Sequence, residues 1–398
     1  MTDLSSILEL DQLARKEAAK FIKKRYLYTT LIEKGGRHFI GIAGPRGAGK
    51  TILLKQLALN LPDSLYLSAD TIQEGQLFET VKLASEKLNI KTILIDEIHF
   101  QKNFDAILKR IFDFLDVRIF FTSSVSLKLY ESAYDLSRRV EIIPIGTFTL
   151  REYIRFKHNI ELPSLTIDDI IERRWATDHA RFEFEFESYI KGGLMPFSLN
   201  EPDILTLSRN ILTTVISRDI PSVQRVHVDE LRTIEKVVAF AGKSAAEDIN
   251  PSVIANNLGV TRYMAERYIK WLEQAFILNP VLPAGTNLRK EPKILMRLPY
   301  RLLYSDYESA KGFLREDFFA EMMFNCSIPY EYLKSNRGEK TPDFLVQYSN
   351  ESIVIEIGGR SKGRDQFKNF TEKTKKLILA HGDNIKENQR PLFMLGYL

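Results

Sequence analysis

Gly44-Pro45-Arg46-Gly47-Ala48-Gly49-Lys50-Thr51 satisfies every fixed position of the pattern G-x-x-x-x-G-K-[ST]. The apolar run Phe39-Ile40-Gly41-Ile42-Ala43 precedes it, and the helix-like Ile52-Leu53-Leu54-Lys55-Gln56-Leu57-Ala58 follows. A strand, a glycine turn and a helix N-terminus are the context that makes this pattern a phosphate-binding loop. The glycines let backbone N–H groups curl around a phosphate chain. The helix dipole adds positive potential at the same place. Lys50 can reach the β- and γ-phosphates, and the Thr51 hydroxyl can ligate Mg²⁺.

Such a loop needs a second, acidic element to hold the metal. Thr92-Ile93-Leu94-Ile95-Asp96-Glu97 supplies it, as a buried apolar strand ending in two carboxylates. Asp96 is expected to bind Mg²⁺ through water beside Thr51. Glu97 is placed to polarise the attacking water as a general base. The pair alone would read as a solvated loop start; joined to the upstream loop it predicts ATP or GTP hydrolysis. A further apolar run, Ile119-Phe120-Phe121, ends in Thr122-Ser123-Ser124, where a hydroxyl could sense the γ-phosphate or simply belong to a polar loop. Arg138 and Arg139 stand before the next strand. Either could act as an arginine finger on a neighbouring nucleotide site or form a surface ion pair.

With 398 residues, the chain exceeds one hydrophobic core, and two to four domains are expected. No apolar run approaches the roughly 18 residues of a membrane span. The opening Met1-Thr2-Asp3-Leu4-Ser5-Ser6 lacks a secretion signal. The single Cys326 fits a reducing cytoplasm. The net charge of +4 lies entirely in residues 286–398, with 19 Lys and Arg against 15 Asp and Glu. That surplus allows nucleic-acid contact and equally describes an ordinary solvated surface.

Strands are expected at 38–43, 64–68, 92–95, 118–121 and 141–144, separated by helices as in a parallel α/β sheet. From 147 to about 226 helical spacing predominates. Residues 228–297 read as three helices and an extended tail. Pro251 starts one helix, Thr261 caps the last, and Ala265, Ile269, Leu272 and Phe276 turn inward. Arg262, Arg267 and Lys270 of that last helix could face a DNA groove. The final hundred residues return to α/β, with a helix at 315–325, strands at 328–333, 344–348 and 352–357, a helix at 366–380 and a strand at 391–397. No His spacing suggests structural zinc.

The order of these motifs resembles AAA+-class P-loop ATPases of bacteria and archaea that end in a restriction-endonuclease-like domain. The likeness continues through Gly193-Leu194-Met195-Pro196-Phe197, Arg218-Asp219-Ile220, Ala255–Thr261, Leu314–Phe319, Pro342-Asp343-Phe344 and Ile355–Lys362. It implies an α/β multidomain chain: a P-loop AAA+ ATPase domain at 1–146, a helical lid at 147–227, a winged helix at 228–297 and a restriction-endonuclease-like α/β domain at 298–398. It favours ATP with Mg, and no guanine-reading N-K-x-D element is present. It makes Arg139 the better finger, acting between copies in a homo-oligomer, and puts Pro196 near the adenine. Two departures are Ser123, where many relatives carry glycine, and Arg297-Leu298, where relatives often carry aspartate.

Asp343, twelve residues and then Glu356, with Glu316 on the preceding helix, are similar to the PD-(D/E)xK nuclease core, whose carboxylates share a divalent metal. That pattern wants a lysine where Gly358 stands, and Lys362 is the nearest substitute. The reading is therefore an ATP-hydrolysing switch acting on a winged helix and a nuclease-like domain, with DNA as a candidate partner. The alternatives are an ATP-regulated nuclease and a nucleotide-binding adaptor with an inactive nuclease fold.

Overall fold

The computed structural model describes residues 4–126, 136, 138–244, 249–285, 291–333, 341–359, 364–367, 370, 374–382 and 385–398. The chain divides into two compact units. The first comprises Met1–Ile145, Thr213–His227 and Gln274–Phe276; the second comprises Gly146–Leu212, Val228–Glu273 and Ile277–Leu398.

The first unit is built on five strands: β1 (Phe39–Ala43), β2 (Ser64–Ser68), β3 (Thr92–Asp96), β4 (Arg118–Ser123) and β5 (Val140–Pro144). They lie in the order β2-β3-β4-β1-β5, and every pairing is parallel. β1 and β3 are apolar at almost every position because helices cover both faces of the sheet. One face packs Leu65, Leu67, Ile93, Ile95 and Phe121 against the helices Leu77–Leu88 and Phe104–Phe114. The other packs Ile40, Ile42, Leu94 and Phe120 against the helix Lys50–Asn60. The helix Leu4–Ala18 adds Ala14 to that second core. Its Arg15 donates to Asp11 Oδ2 (2.7 Å) and to Ser64 O (2.6 Å), and Asp11 Oδ1 accepts from Tyr66 N (2.8 Å).

The second unit starts with helices and single helical turns between Leu150 and Leu199, followed by the helix that begins at Ile204. The helices Val228–Lys243, Pro251–Leu258 and Arg262–Gln274 come next, then a two-stranded antiparallel ribbon of β6 (Leu278–Val281) and β7 (Lys293–Met296). Asn250 caps the helix that opens with Pro251, and Thr261 Oγ1 accepts from Met264 N (3.2 Å). Ala265, Ile269 and Leu272 are buried, as their spacing requires; Phe276, which belongs to the first unit, is buried too.

The long helix Tyr307–Asn325 then leads into a mixed sheet of β8 (Tyr330–Tyr332), β9 (Phe344–Tyr348), β10 (Glu351–Gly358), β11 (Lys375–Ala380) and β12 (Arg390–Pro391). Its order is β12-β11-β10-β9-β8. The β8, β9 and β10 strands form an antiparallel meander, whereas β11 runs parallel to β10.

Two expectations fail here. Residues 375–380 form a strand, not the end of a helix over 366–380. Leu377-Ile378-Leu379-Ala380 is apolar on successive positions, and such a run suits a strand buried on both faces as well as a helix. At the C-terminus only Arg390 and Pro391 pair; Leu392–Tyr397 winds into a buried 3-10 helix instead of continuing as a strand.

Charge is buried in this unit in an ordered way. Arg301, 2% exposed, donates from Nε to Asp317 Oδ2 (2.5 Å) and from Nη1 to Ala241 O (2.9 Å). One turn along the same helix, Glu321 receives Arg297 (3.3 Å) and Thr147 Oγ1 (3.1 Å), with Arg297 lying over the Phe324 ring. Arg297 thus has a buried carboxylate partner. Removing one member of a buried pair strands the other charge at a cost of about 3–5 kcal/mol. Asp317→Ala should therefore lower the thermal unfolding temperature by several degrees, whereas Lys311→Ala on the outer face of the same helix should leave it unchanged.

Candidate functional site

In a parallel sheet all strand C-termini lie at one edge, and a ligand crevice opens where neighbouring connections diverge. In the first unit that edge carries the loop after β1, the acidic pair after β3 and the hydroxyls after β4. Gly47 and Gly49 both take φ 85°, the left-handed region that glycine enters without Cβ strain. Gly49 is the N-cap of the helix Lys50–Asn60. The loop is tied down by Gly44 N donating to Ser123 O (3.2 Å) and by Arg25 Nη1 donating to Ala48 O (2.9 Å).

Lys50 is buried, and its ammonium donates to Gly44 O (2.8 Å) and Pro45 O (2.9 Å). Burial lowers its pKa, against the opposing pull of Glu97 and Asp96. Its hydrogen bonds go to neutral main-chain carbonyls and not to a carboxylate. Asp96 bonds Thr51, accepts from Tyr66 Oη (2.9 Å) and accepts from Thr122 Oγ1. Burial, and next the adjacent Glu97 charge, raise its pKa, while those three hydroxyls hold it down.

Glu97 occupies φ 51°, an uncommon conformation for a side chain larger than glycine. Its N–H donates to Thr122 Oγ1 (2.8 Å), and its Oε1 accepts from Ser124 Oγ (2.8 Å). His99 Nδ1 lies 3.2 Å from Glu97 Oε2. Among the described residues, Glu97 Oε2 and His99 Nε2 are buried without an aligned hydrogen bond. These donors and acceptors fit a triphosphate and Mg²⁺: Thr51 and Asp96 have the hard oxygens, and Lys50 the cation.

Arg46 takes a carboxylate partner of its own. It forms a two-pronged pair with the fully buried Asp219, Nε to Oδ2 at 2.9 Å and Nη2 to Oδ1 at 2.8 Å. Neighbouring Arg218 lies over the Phe100 ring, 4.3 Å from its centroid. Ser124 belongs to the Thr122-Ser123-Ser124 run, whereas Tyr66, His99, Arg25 and Asp219 were not legible as site residues. Of these four, only Asp219 stood in a quoted motif, and charge pairing with Arg46 across 173 positions leaves no local pattern.

The remaining expected residues lie elsewhere. Arg139 precedes β5, at the sheet edge opposite the loop, with Nε donating to Asp113 Oδ1 (3.1 Å). Pro196 opens a short 3-10 helix of the second unit. In the C-terminal sheet Glu316 contacts Lys293 (2.5 Å), Asp343 Oδ2 accepts from Ile357 N (2.6 Å), and Glu356, fully buried, accepts from Gln366 (2.9 Å). Burial, with Asp343 nearby, raises the Glu316 pKa against the opposing charge of Lys293. Among the described residues no three His, Cys, Asp or Glu side chains converge as a metal-ligand set. Lys362 lies outside the described residues. Of the basic residues expected on DNA, Arg262 pairs with Glu266 (2.8 Å) and Glu291 (3.1 Å), and Arg267 pairs with Glu230.

Residues 36–154 match the family described as "AAA domain", so the first unit carries an AAA-type P-loop fold. Residues 183–297 match a "Domain of unknown function (DUF8612)". The uncharacterized protein MJ1637 of Methanocaldococcus jannaschii is 27% identical over 94% of this chain and 88% of its own length. The uncharacterized protein MJ1544 of the same organism is 23% identical over 60% of this chain and 55% of its own. Among solved structures, the Thermotoga maritima RuvB Holliday junction branch migration motor is 17% identical and covers 73% of this chain and 92% of its own, with a TM-score of 0.30. C. elegans PCH-2 is 17% identical over 67% and 69%, with a TM-score of 0.22. Scores this low do not equate the architectures. No helix among the described residues is long and apolar enough to cross a membrane.

Two predictions follow from the geometry. Asp219→Ala leaves Arg46 without its carboxylate, and should destabilise the loop by about 3–5 kcal/mol, read as faster hydrogen exchange at residues 44–51. The second concerns acid. Burial lowers the His99 pKa from 6.5 to about 4. Below about pH 6.5 the unfolded chain takes up a proton that the native chain refuses until about pH 4, so this contribution destabilises progressively as pH falls through that window. Its full size is about 3 kcal/mol. His99→Asn should remove that slope, measured as exchange of the β1 and β3 amides at pH 7, 5.5 and 4.5.

Proposed function

We propose that the chain binds ATP with Mg²⁺ at the loop 44–51 and hydrolyses it, and that nucleotide state is passed to the remaining domains. The observation that carries this reading is Lys50. It is a buried ammonium on loop carbonyls, at the sheet edge that also holds Asp96 and Glu97.

In this reading Gly44, Pro45, Arg46, Gly47, Ala48 and Gly49 form the loop that wraps the phosphates, and its amides bond their oxygens. Lys50 exchanges its two carbonyl acceptors for β- and γ-phosphate oxygens. Thr51 and Asp96 hold the metal, which when bound screens phosphate charge as a Lewis acid. Glu97 takes a proton from the attacking water. Thr122 fixes both Asp96 and the Glu97 main chain, so the carboxylates keep their separate duties. Pro196 stays the proposed adenine neighbour. Arg139, at the far edge of its own sheet, suits a finger reaching the nucleotide of a second copy, which makes a homo-oligomer part of the proposal.

Three helices followed by the β6–β7 ribbon support a winged helix at 228–297. The β8–β10 meander with parallel β11 supports a restriction-endonuclease-like fold at 298–398. Cleavage by Glu316, Asp343 and Glu356 is the less supported reading, because these three do not converge as a metal-ligand set among the described residues. Gly358 replaces the lysine, and each carboxylate is engaged by a neighbouring protein group. The ion-paired Arg262 and Arg267 likewise favour a protein-facing winged helix over a DNA-reading one.

Purified protein should release phosphate from ATP in the presence of Mg²⁺. Lys50→Ala should lose nucleotide binding. Glu97→Gln should retain binding with turnover lowered by about a hundredfold or more. Phosphate release equal in all three proteins would refute the proposal.

A further inference from the structure

We propose that His99 is a positioning residue that holds the Glu97 carboxylate in its working rotamer through Nδ1–H. This rests on the hydrolytic reading above and adds a residue that the loop and acidic motifs do not specify. Glu97 is otherwise anchored at two points, its N–H on Thr122 Oγ1 and its Oε1 on Ser124 Oγ, both at 2.8 Å. A carboxylate fixed at one oxygen still swings about its terminal torsion. The His99 Nδ1, 3.2 Å from Oε2, is placed to stop that swing.

The tautomer follows from neighbouring protons. Ser123 Oγ lies 3.4 Å from the same Nδ1 and gives its own hydrogen to Val125 O (2.6 Å). Its oxygen can therefore only accept from the ring. A carboxylate oxygen and a spent hydroxyl both face Nδ1, so Nδ1 carries the proton and Nε2 the lone pair. Nε2 is buried and, among the described residues, has no hydrogen-bond partner that would draw the proton to it. The ring is 1% exposed and packs on Phe100, with centroids 4.3 Å apart. Its place in the 3-10 turn Ile98–Phe100, directly after Glu97, fixes its reach. At 3.2 Å the contact is not aligned as a hydrogen bond, and positioning by His99 requires that it align when a catalytic complex tightens.

The test has two arms. In the full chain labelled with ¹⁵N-histidine and free of nucleotide, long-range ¹H–¹⁵N spectra report each ring's tautomer, and His99→Asn assigns the signal. The expected result is an Nδ1-protonated ring whose balance shifts toward Nε2–H in Glu97→Ala. An Nε2–H ring in the wild type, or a signal indifferent to Glu97→Ala, would overturn the proposal. In the second arm His99→Leu should lower kcat by about tenfold to a hundredfold with the KM for ATP little changed. His99→Asn, whose amide N–H occupies the Nδ1 place, should recover most of that loss. Equal losses in Leu and Asn variants, or a loss confined to KM, count against positioning. A wild type that binds ATP without hydrolysing it defeats the parent reading alone, because the tautomer arm still decides whether His99 holds Glu97.

Discussion

Inserting β4 between β1 and β3 is the constraint on which the rest depends. It separates the two strands that bear the phosphate loop and the acidic pair by one strand width each from a third, whose end bears Thr122, Ser123 and Ser124. The hydroxyls therefore sit between the cation side and the carboxylate side of the site. Thr122 bonds Asp96 and the Glu97 main chain at once, while Ser123 O receives Gly44 N from the loop. A different strand order would leave the same residues unable to meet. The parallel arrangement in turn needs apolar side chains on both faces, which is why β1 and β3 tolerate so few polar positions.

Charge at this edge is partitioned by burial. Lys50 loses basicity and Asp96 loses acidity through desolvation, and each is partly restored by the other's charge or by hydroxyls. Two further charges, Arg46 and Asp219, pair with each other and act on Lys50 in opposite senses, Arg46 lowering its pKa and Asp219 raising it. The C-terminal sheet follows another logic. Asp343 accepts from a main-chain amide and Glu356 Oε1 from a glutamine, with Glu356 Oε2 also buried, while Glu316 on the preceding helix meets a lysine.

Much of the first unit could be read from local pattern. Runs of four to six largely apolar residues flanked by helical periods gave all five strands to within a residue or two, and the loop and acidic motifs named groups that the sheet order brings to one edge. What local pattern could not supply was pairing across distance. Tyr66 reaches Asp96, Ser124 reaches Glu97 and Asp219 reaches Arg46 only because the sheet order brings them together. In the C-terminal sheet the apolar stretch before Ala380 misled for a related reason. Burial on both faces erases the alternation that separates strand from helix, and only the register with β10 resolves it.

The return of Thr213–His227 to the first unit bears on how such a chain can be cut and recombined. A fragment ending near residue 146 would carry every recognisable nucleotide motif yet omit the carboxylate that neutralises Arg46. The AAA-type unit is thus discontinuous in sequence, stitched from separated stretches of the polypeptide. A version of this unit that keeps Arg46 paired must carry residues 213–227 along with the N-terminal half, or supply another counter-charge beside the loop.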